Sequence, residues 1–280
     1  MNTMDVMDGI LVINKPAGMT SHDVINRLRK KYKQKKFGHA GTLDPMASGV
    51  LVVLAGKAAK LLQFLPDTDK EYTAQIQLGK SYDTDDIWGQ ETGSRPVSMD
   101  FDFAAELEKF KGPLHQKVPA VSAKKVNGKK LMEYQRNDQP VPEVYADVEV
   151  YDIQPLDQEK LEFKVSCSSG TYIRSICRDF GENTNNLAAM SSLIRTKACG
   201  FDISQAEDLD AEAHTLHDMT EILSFLPKVA FDPIADIYNG KSVHVNTPYD
   251  RILMMDQDKP VAIYDRHHKD VFSCARGGFA

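Results

Sequence analysis

The chain has 280 residues, with 34 basic against 40 acidic side chains for a formal net charge of -6, and 42% of its residues are apolar. That balance belongs to a folded protein able to bury a sizeable core, and it excludes disordered, collagen-like and disulfide-stapled classes. The longest clean apolar run near the front, Val50 to Ala55, falls far short of the ~20 residues of a membrane-spanning helix. The segment Met1 to Asp8 carries Asp5 and Asp8 but lacks the basic-then-apolar order of a secretory signal, so a cytoplasmic protein is expected.

In chain order, Ile10-Leu11-Val12-Ile13 predicts a short buried strand, ended by the turn Asn14-Lys15-Pro16-Ala17-Gly18. Thr20 and Asp23 form a capping pair for a helix over 21–33, whose apolar stripe is Val24, Ile25, Leu28 and Tyr32. Gly38 to Gly49, with three glycines and a proline, predicts a long loop feeding a buried strand at Val50 to Leu54. Ala58, Leu61, Leu62 and Leu65 have helical spacing and predict a helix from Lys57 to Phe64, stopped by Pro66. Tyr72 to Leu78 alternates apolar and polar residues, the pattern of a strand with one wet face.

Asp83 to Pro96 is a polar, turn-rich excursion, Phe101 to Phe110 a helix, and Lys111 to Arg136 an irregular basic stretch. Strands resume at Ala146 to Ile153 and Leu161 to Cys167, followed by a helix carrying Ile173, Ile176, Cys177 and Phe180. A further short helix is expected through Leu187 to Leu193, then an acidic helical pattern over Asp202 to Glu221. Short β pieces at Val243 to Val245, Arg251 to Met255 and Pro260 to Tyr264 end the chain. The order is mixed α and β, with a large domain over 1–228 and a small β-rich one over 229–280.

Several chemistries find no support. Gly79-Lys80-Ser81 and Gly240-Lys241-Ser242 imitate a P-loop, but Ala74 and Ala235 stand where its first glycine belongs, and no G-x-G-x-x-G occurs. His214 with His217, and the pair His267-His268, have no metal-ligand spacing and are expected as solvated surface. The cysteines Cys167, Cys177, Cys199 and Cys274 stand 10, 22 and 75 positions apart, which predicts buried thiols and neither a metal nor a disulfide frame. No G-x-S-x-G elbow is present. What remains is chemistry done by ordinary side chains, with no metal and no cofactor.

Positive signal is local. Between Arg27 and Lys36 stand seven cations in ten positions with no acid among them, and Lys111 to Arg136 is a second basic stretch opposed there only by Glu133. Such runs fit a phosphate backbone. Between them lies the glycine-rich loop with Asp44, where glycines allow close approach of a ligand and a flanked carboxylate is a candidate nucleophile.

Gly38-His39-Ala40-Gly41-Thr42-Leu43-Asp44-Pro45 followed by Ala47-Ser48-Gly49-Val50-Leu51 resembles the signature of the TruB family of tRNA pseudouridine synthases. Further matches follow in order: Gly9 to Pro16, Lys70-Glu71-Tyr72, Asp83-Thr84-Asp85 with Gly89, Val118-Pro119 with Ser122-Ala123-Lys124, Gly170 to Arg174, and Leu193 to Thr196. The resemblance spans roughly Gly9 to Phe201. It implies an α+β pseudouridine synthase fold, a mixed, mostly antiparallel sheet flanked by helices, with 229–280 as a reduced PUA-like domain.

The same resemblance implies a substrate, the T-loop uridine at position 55 of tRNA, and a reaction, its isomerisation to pseudouridine. Asp44 would be the nucleophile on a flipped-out nucleotide, attacking either uracil C6 or ribose C1′. Tyr72 would stack on the base, Arg174 would pair with Asp44, Tyr172 and Leu193 would line the pocket, and His39 would help hold the T-loop open. Lys15 is given no chemistry, and Arg195 is left to carry any phosphate contact, because Ile194 replaces a common arginine. Val121 stands where the family often has a tyrosine. The reaction exchanges one glycosidic bond for another and is redox-neutral. A monomer is expected, with tRNA as partner. Two rivals are a non-catalytic RNA-binding or RNA-folding protein, which would need no carboxylate at Asp44, and a guide-RNA-dependent synthase, which the reduced C-terminal domain disfavours.

Overall fold

The computed structural model describes residues 6–65, 69–137 and 139–280. Its centre is a ten-stranded mixed sheet built from β1 (Gly9–Lys15), β2 (Phe37–Ala40), β3 (Ser48–Ala55), β4 (Lys70–Leu78), β7 (Gly112–Lys117), β10 (Tyr145–Asp157), β11 (Glu162–Cys167), β12 (Ala188–Ala198), β13 (Phe201–Asp202) and β14 (Glu207–Asp208). Two small hairpins lie outside it, β5 (Lys80–Tyr82) with β6 (Glu91–Ser94) and β8 (Lys125–Val126) with β9 (Lys129–Lys130). Along the main sheet the order is β14-β1-β3-β12-β4-β11-β10-β7, and only the β1/β14 and β3/β12 pairs are parallel. The expected mostly antiparallel sheet is therefore present.

β1 is continuously apolar over Ile10 to Ile13 and β3 over Val50 to Ala55, because both faces are covered there. Ile10, Val12, Val50, Val52 and Leu54 join one core, while Leu11, Ile13, Leu51 and Val53 join another beneath helix α1 (Ser21–Tyr32). β4 and β11 instead alternate, sending Tyr72, Ala74, Ile76, Phe163, Val165 and Cys167 into a third core with α4 (Ile173–Asn183). Two shorter helices, α2 (Phe103–Glu108) and α3 (Leu131–Arg136), complete this part of the chain.

The α1 cap forms as expected: the Thr20 hydroxyl accepts from the Asp23 N–H at 3.1 Å, and the Asp23 carboxylate accepts from the Thr20 N–H at 2.9 Å. Thr20→Ala should cost about 1 kcal/mol, read from the urea midpoint.

Several expected elements differ. Leu187 to Leu193 is not a helix: Ala188–Ala198 is a strand that fills the slot between β3 and β4, where pairing on both sides overrides the local helix preference of Ala and Met. The segment Gly56–Phe64 is a 3-10 helix, with Ala58, Leu61 and Phe64 buried at three-residue spacing and Leu62 left 45% exposed. Pro66, the expected stop, lies outside the described residues. The long loop from Gly38 begins as β2, and the excursion over Asp83 to Pro96 contains β6. Within Lys111 to Arg136 lie β7, the β8–β9 hairpin and α3. Asp202 to Glu221 is mostly irregular, its only α-helix being α5 (Met219–Ile222).

The C-terminal sheet contains β15 (Lys228–Ala230), β16 (Val243–His244), β17 (Arg251–Asp256), β18 (Lys259–His268) and β19 (Val271–Gly277), with α6 (Ile234–Tyr238) beside it. One of its faces, through Leu253, Met255 and Ile263, packs into the same core as Ile10, Val52, Leu61 and Phe64. The other covers Ile252, Met254, Ala262 and Tyr264. No helix among the described residues is long and apolar enough to cross a membrane.

Candidate active site

The Asp44 loop arises from a fork in the sheet. Along one edge of β3, β12 pairs at Ser48 and Gly49, and β2 pairs at Val52 to Ala55. The chain between β2 and β3, residues 41–47, emerges where those two partners part. Gly49 has φ +102°, and a Cβ there would lie 2.2 Å from the Arg195 carbonyl oxygen, so only glycine allows this approach.

The loop backbone is tied on every side. Ser21 Oγ, at the start of α1, accepts from the Leu43 N–H at 2.9 Å and donates to the Leu43 carbonyl at 3.3 Å. The Gly18 and Met19 N–H groups donate to the Pro45 carbonyl at 2.9 and 3.2 Å. Lys15, given no chemistry in the sequence and expected in the turn after β1, closes β1 and is 0% exposed. Its Nζ donates to the carbonyls of Pro16, Met19 and Pro45 at 2.9, 2.6 and 3.0 Å. Burial draws its pKa down to about 8 against the pull of the Asp44 carboxylate, so at neutral pH it carries one proton for each of those three carbonyls.

Arg195 corrects a second expectation. It is fully buried, with Nε donating to the Val50 carbonyl at 2.8 Å, Nη2 to Gly41 at 3.1 Å and Nη1 to Thr42 at 3.4 Å. It anchors the loop from behind and has no surface from which to meet a phosphate. Arg195→Met should lower stability by about 3 kcal/mol, because buried carbonyls lose their donors, and a urea titration reads it directly.

On the open side Asp44, its side chain 40% exposed, meets Arg174 from the first turn of α4, 7% exposed. Arg174 Nε lies 3.0 Å from Asp44 Oδ2, and Nη2 makes a longer contact of 3.5 Å to Oδ1. The guanidinium is fixed by Nη1 donating to the Thr84 carbonyl at 2.7 Å and Nη2 to the Val121 carbonyl at 3.1 Å. Asp86 Oδ2 stands 3.7 Å from Nη1. A cation at a helix N-terminus opposes the helix dipole, and these two carboxylates offset that cost. Val121 contributes through its backbone, so the missing tyrosine hydroxyl does not affect this contact.

Behind Asp86, Arg178 from α4 pairs with Asp85 at 2.9 Å and Asp179 at 2.7 Å. Burial pushes the Asp85 and Asp86 carboxyls upward, opposed chiefly by Arg178 for Asp85 and by the Thr84 hydroxyl and Arg174 for Asp86. Asp86, Thr84 and Lys15 went unassigned in the sequence, although all three lie in or beside stretches that carry the resemblance.

The remaining candidates are placed as follows. Tyr72 is 8% exposed in the same apolar cluster as Leu43, Ala47 and Leu193, and pairs across the sheet with Arg195. Burial raises its phenol pKa, with the Arg195 charge opposing. Tyr172 precedes α4 and is half-buried, its N–H donating to Gln116 Oε1 at 2.8 Å while Gln116 Nε2 donates to its carbonyl at 3.1 Å. His39 lies on β2, where burial and the Arg195 charge lower its pKa, and its buried Nδ1 has no hydrogen-bond partner among the described residues.

The basic stretches are only partly open to a ligand. Arg27 pairs with Asp210, Arg29 donates to the Lys35 and Phe37 carbonyls, and Lys31 donates to the Ala211 carbonyl. Lys30, Lys33, Lys35 and Lys36 are exposed. Lys111 and Lys117 meet Asp152 and Glu143, while Lys124, Lys125 and Arg136 face solvent. His214, expected on the surface, is buried between the Tyr32 hydroxyl and the Asp208 carbonyl. Cys167 and Cys177 are buried as expected, but Cys199 and Cys274 are only partly so.

Residues 29–173, more than half of the chain, match the model of the N-terminal domain of TruB family pseudouridylate synthases. The chain belongs to the TruB family. It is 36% identical to the tRNA pseudouridine synthase B of Lactobacillus gasseri, covering 94% of this chain and 96% of that one. Identity to the tRNA pseudouridine synthase B of Oceanobacillus iheyensis is 37%, over 93% of each chain. Among solved structures, a chain of an H/ACA RNP bound to a substrate RNA containing 2′-deoxyuridine matches with TM-score 0.72 at 22% identity, covering 99% of this chain and 86% of that one. A chain of a Cbf5–Nop10–Gar1 complex matches with TM-score 0.70 at 25% identity, covering 95% and 80%. The expected pseudouridine synthase fold is thus present, and the TruB resemblance, carried in the sequence by short motifs, extends over nearly the whole chain.

Proposed function

We propose that this TruB family member converts the T-loop uridine at position 55 of tRNA to pseudouridine, with Asp44 as nucleophile. The observation that carries the reading is the Asp44–Arg174 pair: an accessible carboxylate on a rigid loop, held by a buried guanidinium. A carboxylate built this rigidly is preorganised for attack, and a purely RNA-binding surface has no use for a negative charge at its centre.

The uridine leaves its stack and enters beside Asp44. Asp44 attacks uracil C6 or ribose C1′, the N1–C1′ bond breaks, the base turns, and a C5–C1′ bond forms. The bond to Asp44 breaks as C5 displaces the carboxylate from C1′, or as the carboxylate leaves C6 when the C5–C6 double bond re-forms. C5 loses its proton and N1 takes one up, so Asp44 is regenerated and no electrons are gained or lost. Tyr72 stacks on the base, Leu193 and Tyr172 line its pocket, and His39 serves RNA binding. Arg174 holds Asp44 in orientation.

Exposed Lys30, Lys33, Lys35, Lys36, Lys124 and Lys125 supply the attraction for phosphate. The relatives named tRNA pseudouridine synthase B favour tRNA over a guide-RNA assembly. Residues 1–228 form the catalytic domain and 229–280 a reduced PUA-like domain, and the enzyme works as a cytoplasmic monomer. The test is incubation with an unmodified tRNA transcript followed by nucleoside analysis of the T-loop. Pseudouridine at position 55 is expected, and its absence from a tRNA that binds would contradict the reading.

A further inference from the structure

The chain has a single tryptophan, Trp88, and the residue is 40% exposed. It stands two residues after Asp86, whose carboxylate lies 3.7 Å from the Arg174 guanidinium that holds Asp44. The loop beneath it is rigid. The Trp88 N–H donates to Asp86 Oδ1 at 3.1 Å, the Thr84 hydroxyl donates to the same oxygen at 2.8 Å, and the Gln90 N–H donates to Asp83 Oδ1 at 2.7 Å. The Ile87 N–H reaches the Met190 carbonyl at 3.0 Å, and Gln135 of α3 donates to Asp83 Oδ2 at 3.0 Å, tying the loop to β12 and to the helix that follows the basic β8–β9 hairpin.

We propose that Trp88 is a stacking platform for an unpaired base of the RNA substrate next to the reacting nucleotide. An exposed indole on a fixed loop offers a large flat face with little freedom left to lose on binding. The loop chemistry selects a base over a phosphate. Asp85 and Asp86 are turned to Arg178 and Arg174. Asp83, five residues from Trp88, instead accepts from the neutral Gln90 N–H and Gln135 amide, and its carboxylate would repel the RNA backbone, whereas a neutral base meets no such cost. The lysines of the hairpin beyond take the phosphates. A uridine that turns out of a folded loop leaves neighbours whose stacking is broken, and the indole replaces it.

This inference rests on the proposed RNA substrate, and the lone tryptophan makes it directly readable. Titrating the protein with unmodified tRNA while following tryptophan emission should quench that emission. Trp88→Ala should raise KM about 10-fold with kcat at saturation unchanged, in line with the measured worth of base–aromatic stacking. Trp88→Phe should restore KM to within about 2-fold, a rescue that a merely structural role would not give. Because the side chain is exposed and its hydrogen bond is made by the backbone, Trp88→Ala should keep the wild-type melting temperature. Emission that does not move while the same tRNA is turned over, or an unaltered KM in Trp88→Ala, overturns the platform and leaves the proposed function standing. Absence of turnover by the wild type overturns both.

Discussion

Asp44→Asn is expected to abolish pseudouridine formation, lowering kcat by about 10³-fold or more, while tRNA affinity stays within a few-fold of wild type. The carboxamide is nearly isosteric, and its oxygen still accepts from Arg174 Nε, so the loop held by Ser21, Lys15 and Arg195 has no reason to move. What disappears is the negative charge and with it the nucleophile. Paired measurements of tRNA binding and of nucleoside product separate the two effects. Loss of binding together with turnover would mean that Asp44 holds the loop and does not react.

Arg174→Met is the second large effect, and it acts on stability and turnover together. The guanidinium satisfies two backbone carbonyls and faces two carboxylates, one of them on Asp86 with a side chain 12% exposed. Removing it leaves Asp86 buried without its cation, at a cost of about 3 kcal/mol in folding free energy. kcat should fall by about 10²- to 10³-fold, because Asp44 loses both its orientation and its partner. Arg174→Lys discriminates between charge and geometry. An ammonium restores the charge but cannot span Asp44, Thr84 and Val121 with one planar fork, so most of the stability should return and most of the turnover should not. Full turnover in Arg174→Lys would show that the fork geometry is unimportant.

What was legible in the sequence follows from the range of the interactions involved. α1 was readable because its cap and stripe are local, and β1, β3, β4, β10 and β11 because continuous or alternating apolar runs mark buried strands. β12 was misread because its identity is set by partners more than a hundred residues away, while its own Ala and Met residues favour helix. Asp44 and Arg174 were found through the family signature, and no spacing rule could have joined two residues 130 positions apart.

Lys15 and Arg195 were misassigned for one shared reason. Lysine and arginine are exposed by default, and their burial here depends on carbonyls that converge only when β1, β3 and β12 are assembled. The two cations stand behind the loop and Arg174 in front of it, so Arg195, expected to meet a phosphate, instead holds the loop's carbonyls.

The most direct test of Asp44 as the nucleophile of a uridine isomerisation uses a tRNA transcript carrying tritium at C5 of the T-loop uridine. Release of tritium to water requires the C5–C1′ bond to form. Wild-type protein should release it without added metal or nucleotide, and Asp44→Asn should bind the same tRNA and release none. Release by Asp44→Asn at the wild-type rate would contradict the account.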